Sequence, residues 1–133
     1  MRCLIAVDDA IIRDTVRAAV LAFPGLEADA VDVEQGRLLL RRRRYDLAFT
    51  TLLSESRESK ALWKELQAVS PRVHVVGLTP RTGLSVHRTD RSRLQLFALL
   101  GTPIDAVELF STLKRLSDRI KRKQAIPGGG GTP

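Results

Sequence analysis

The sequence is poor in the residues that build metal cages, disulfide frameworks and stacking surfaces. A single cysteine, Cys3, excludes an internal disulfide and any multi-cysteine zinc site. Two histidines, His74 and His87, are too few for a histidine-rich metal cage. Aromatic residues make up 5% of the chain and none punctuates the basic runs, the reverse of a surface that stacks nucleic-acid bases. No apolar run approaches the about 18 residues that a membrane-spanning helix needs. Only seven residues precede Asp8-Asp9, too few for the apolar core of a secretion signal, so the expectation is a cytoplasmic protein without a membrane partner.

What is present is ordinary for one globular domain. The 133 residues are 44% hydrophobic and 28% charged, enough for a single core and against wholesale disorder. The net charge is +7, and 17 of the 22 basic residues are arginine. Such a balance suits nucleic acid or an acidic partner, or a plain arginine-rich surface. No helix-turn-helix pattern accompanies it, so direct nucleic-acid contact is not expected.

Apolar runs and helical periods alternate along the chain. Cys3 to Val7 reads as a buried strand ending at Asp8-Asp9. Ile12, Val16, Ala19, Val20 and Phe23 recur at helical spacing before Pro24-Gly25. Leu26 to Val33 reads as a strand, followed by a short helix through Leu38-Leu39-Leu40 into Arg41 to Arg44. Asp46 to Thr51 and Val73 to Thr79 read as strands, with a helix marked by Leu62, Leu66 and Val69 between them. A short helix is expected within 81–93 and the last strand within Leu94 to Leu100. The final helix carries Ala106, Leu109, Phe110, Leu113, Leu116 and Ile120 on one face, and Asp105 with Glu108 has capping-box spacing. This βα alternation predicts an α/β fold with a five-stranded parallel sheet covered on both faces, and the size fits a doubly wound domain of flavodoxin-like order 2-1-3-4-5. Residues 1–123 form the expected domain, and 124–133 have the Gly/Pro composition of a tail or linker to an effector domain.

Four anchors fall at predicted strand ends: Val7-Asp8-Asp9, Tyr45 to Phe49 leading to Thr51, Val75 to Thr79, and Thr102-Pro103. The intervals from Asp8 to Thr51, Thr79 and Thr102 are 43, 28 and 23 residues in turn. In this order and spacing the chain resembles the response-regulator receiver domains, the CheY-like family, over about residues 2 to 123. The resemblance implies a pocket in which a magnesium ion, held by an acidic pair and an aspartate, assists phosphoryl transfer to that aspartate. A lysine grips the phosphoryl oxygens, and a hydroxyl and an aromatic residue relay the change.

Here the pocket would be degenerate. Asp8, Asp9, Thr79 and Pro103 match the family pattern, but Thr51 stands at the acceptor position, Thr102 at the lysine and Leu99 at the aromatic relay. Loss of acceptor and lysine together keeps the formal pocket charge at −2. Either loss alone would leave crowded carboxylates or a lysine without its main partner. The expectation is a pseudo-receiver, not an enzyme, with no catalytic residue and no cofactor. Asp8-Asp9 could hold a cation weakly, or be solvated or paired with Arg81. Partner docking or homodimerisation is expected on the face of the fourth predicted helix, last strand and last helix, with Arg81, Arg88, Arg91, Arg93 and Leu99. The alternatives are an atypical receiver switched by a cation, small ligand or surrogate acceptor, and a basic nucleic-acid-binding module. His74, Cys3 and Trp63 read as packing residues, and the arginine runs at helix ends as solvated charge.

Overall fold

The computed structural model describes residues 1–51, 61, 62, 64–66, 68, 73–80 and 96–129. Five strands, β1 (Arg2–Ala6), β2 (Glu27–Val31), β3 (Leu47–Thr51), β4 (His74–Pro80) and β5 (Ala98–Thr102), form one sheet in the order β2-β1-β3-β4-β5. Every pairing is parallel. The α/β class and the 2-1-3-4-5 order expected from the sequence are therefore observed. The expected short helix within 81–93, together with Trp63 and Val69, lies outside the described residues.

Strands buried on both faces explain the near-continuous apolar runs in the sequence. Successive side chains of β1 alternate between two cores. Cys3, Ile5 and Val7 join Leu47, Phe49, Val76 and Leu78 beneath α1 (Ala10–Leu21) and α3 (Ala106–Gly129). Leu4 and Ala6 join Ala48 and Val75 beneath α2 (Val33–Arg42) and the helical residues Leu62 and Leu66. The α3 stripe Leu109, Leu113, Leu116 and Ile120 is buried, each side chain contributing roughly 1.5–3 kcal/mol. Phe110, read from its spacing as part of that face, is 42% exposed and stacks on Phe23 at 5.7 Å.

Several boundaries shift for identifiable reasons. β2 stops at Val31 because Asp32 is the N-cap of α2, its carboxylate accepting from Gln35 N–H at 2.7 Å. β5 starts at Ala98 and includes Gly101 and Thr102, because its register follows β4 from Val76 to Pro80. In place of the expected capping box, Asp105 accepts from Val107 N–H at 3.0 Å, one residue short of the Glu108 amide that a capping box uses. The last turns of α3 carry residues 124–129, part of the segment whose composition reads as a linker. After α1 the chain turns at Gly25, whose φ of +81° is the left-handed region that glycine adopts without strain.

Candidate functional site at the carboxyl edge of the sheet

In a parallel sheet of this order, sites form where the strands end at their carboxyl edge. Asp8 and Asp9 follow β1, Thr51 closes β3, Thr79 lies next to last in β4, and Thr102 closes β5 before Pro103. Ladder partners carry this edge across the sheet: Ala6 with Thr50, Thr51 with Leu78, Thr79 with Gly101 and Pro80 with Thr102. The six residues predicted for the pocket are thus gathered on one edge. The Thr102–Pro103 peptide is cis.

The acidic pair is engaged in holding helices. Asp9 is the N-cap of α1, and its Oδ1 accepts from Ile11 and Ile12 N–H at 2.9 and 3.0 Å. Asp8 Oδ1 accepts from Val33 N–H at 2.9 Å, tying the end of β1 to the first turn of α2. The Arg13 guanidinium donates to the Val7 carbonyl at 3.0 Å and sets a cation beside the same loop. An Asp before a helical period was a readable cap signal for Asp9. Nothing in the local sequence pointed from Asp8 to a backbone group 25 residues away. The pairing considered for the acidic residues, Arg81, lies outside the described residues.

The acceptor position has a different character. Thr51 is half-buried, and its Oγ1 is buried without a hydrogen-bond partner. Thr50, fully buried, also has an unpartnered Oγ1. Among the described residues no base therefore touches either hydroxyl. Thr79 is buried and Thr102 half-buried. Asp46 sits at the opposite edge, before β3, where its Oδ2 accepts from Arg2 N–H at 3.0 Å. Among the described residues, no group of three or more His, Cys, Asp or Glu could hold a metal ion. The donor set is thus a poor fit to a receiver's magnesium site, with two carboxylates each already accepting from backbone amides.

Leu99, in β5, is half-buried and packs against the Leu4 and Val75 core. Beside it the groove between β5 and α3 holds about 460 Å³, with Asp105, Val107, Glu108, Thr112 and Arg115 in its lining. Val107 is 76% exposed, an apolar side chain left in solvent at the start of α3. Arg81, Arg88, Arg91 and Arg93, placed on the same face by the sequence reading, lie outside the described residues.

A scan against protein-family models and a search of curated proteins found no match. Solved structures do resemble the fold. The response regulatory domain of protein mrkE from Klebsiella pneumoniae superposes with a TM-score of 0.77 at 14% identity, over 92% of this chain and 99% of that one. The REC domain of AraT, a response regulator from Geobacillus stearothermophilus, gives 0.74 at 26% identity, over 92% and 97%. The signal receiver domain of an HD domain-containing protein from Pseudomonas fluorescens gives 0.73 at 18% identity, over 92% and 90%. The chain has the receiver-domain fold.

Proposed function

We propose that this chain is a pseudo-receiver, a phosphorylation-independent protein–protein interaction and dimerisation module in two-component-type signal transduction or transcription regulation. The observation that carries the reading is Thr51. At the strand end where a receiver presents its phosphoacceptor, this chain presents a hydroxyl with no hydrogen-bond partner. A hydroxyl nucleophile needs an adjacent base, and among the described residues none contacts it. The carboxylates that would share a magnesium ion are Asp8 and Asp9, Asp9 occupied in capping α1 and Asp8 in accepting from the Val33 amide. The module has no catalytic residue and takes no cofactor, and its site is the constitutive shape of the edge formed by Asp8, Asp9, Thr51, Thr79, Thr102 and Pro103.

Docking belongs to the β5–α3 side. Leu99 and exposed Val107 border its groove, and the sequence resemblance assigns Arg81, Arg88, Arg91 and Arg93 to the same docking face. The partner is a signalling protein or a second copy, in the cytoplasm. Among the described residues no helix is long and apolar enough to cross a membrane.

Intact-mass measurement tests the reading. The protein is incubated with magnesium and a small acyl-phosphate donor beside a receiver that retains the aspartate. No mass gain is expected here while the control gains one phosphoryl group. A stoichiometric adduct on this chain would overturn the proposal.

A further inference from the structure

The run Arg41 to Arg44 reads in the sequence as solvated charge at a helix end. The structure gives it a shape. α2 ends at Arg42, and Arg43 leaves in extended conformation (φ −132°, ψ 155°) with its N–H still bonded to the Leu39 carbonyl. This change of path spreads the four arginines around one hollow of about 500 Å³ at the amino edge of the sheet. Leu40 and the buried Tyr45 and Val73 give the hollow an apolar lining.

The charges around it are incompletely matched. Arg41 donates to Glu65 at 2.7 Å, and Arg43 pairs with Asp29 at 3.3 Å. Arg42 and Arg44 have no carboxylate partner among the described residues. Asp46, the acid in the lining, already accepts from Arg2 N–H. The helix dipole favours cations at Arg41 and Arg42, inside the last turn. It offers nothing to Arg44, two residues past the helix. With a net charge of +7, the chain has no surplus of acid to cover this site.

We propose that the hollow docks an acidic peptide segment of a partner protein. Arg42 and Arg44 would hold its carboxylates while an apolar side chain between them seats against Leu40, Tyr45 and Val73. Guanidinium forks match carboxylates in two parallel hydrogen bonds, as they do phosphates. Two features favour the acidic peptide over a nucleic-acid backbone. The volume falls within the range of concave ligand sites, with apolar surface that phosphates would not use. Tyr45, the aromatic residue in the lining, is buried with its hydroxyl donating to Asp29 at 2.7 Å, so no ring is free to stack a base. The site lies at the edge opposite Asp8 and Thr51, so it stands or falls independently of the pseudo-receiver reading.

The test is fluorescence anisotropy with the whole chain and a labelled dodecapeptide of glutamates and aspartates around one central leucine. R42E/R44E should weaken binding by about tenfold or more, the scale of one charge-assisted pair. R17E/K114E, the same charge change at exposed sites on α1 and α3, should change it far less. R42Q/R44Q separates loss of the fork from charge reversal and should also weaken binding. Replacing the leucine by glutamate should weaken it in the wild type. Equal losses in the two charge-reversal variants would overturn the proposal in favour of diffuse attraction. So would duplex DNA that binds more tightly than the peptide and displaces it.

Discussion

At the residue scale, the carboxylates at the carboxyl edge are stability elements. Asp9→Ala removes the N-cap of α1 and should cost about 1 kcal/mol in urea unfolding, with Asp8→Ala costing a similar amount through Val33. Asp9→Asn should recover most of the loss, since an amide oxygen caps as well. Thr50 gives the opposite sign. Its hydroxyl is fully buried with no partner, so Thr50→Val, of the same shape, should raise stability by about 1 kcal/mol, read as a higher melting temperature. Cys3 is fully buried, and desolvation pushes its thiol well above the usual range, so the folded protein should resist a thiol-labelling reagent that reacts at once in denaturant. The place of Thr51 at the end of β3 was legible in the sequence, because an apolar strand run leads directly into it. The engagement of Asp8 with Val33 was not, because a contact between distant positions leaves no local pattern.

At the element scale, close packing and edge ties hold the layers. Gly36 lies in α2 against β1, where an added Cβ would stand 2.7 Å from the Ala6 Cβ. Gly36→Ala must therefore move α2 off the sheet, and a loss of roughly 1–3 kcal/mol is expected despite the better helix propensity of alanine. Tyr45 ties the start of β3 to β2 through Asp29. Burial and that hydrogen bond hold its phenol protonated well above the ordinary value. A raised folded pKa means the contribution is whole below the unfolded value, about 10, and is lost as pH rises beyond it. Unfolding free energy should fall in the alkaline range, and Tyr45→Phe should flatten that part of the fall. Long periodic elements such as α1 and the final helix were readable from apolar spacing. The ends of β2 and β5 were not, because a cap at Asp32 and the ladder with β4 decided them.

At the scale of the whole molecule, alternation of strand and helix was enough to predict a parallel sheet covered on both faces, and the size of the chain suited the observed 2-1-3-4-5 order. What the sequence could not express was where its charges gather. Arginines that read as a linear run become the rim of one hollow, and the acidic pair becomes a brace between two helices. The five residues of β3 separate these edges by about 17 Å, nearly twice the screening distance of about 8–10 Å in physiological salt. Charge bound at the arginine hollow is thus largely screened at the Asp8–Thr51 edge. A message between the two travels mainly as displacement of the strands, which gives a domain of this size two separate addresses.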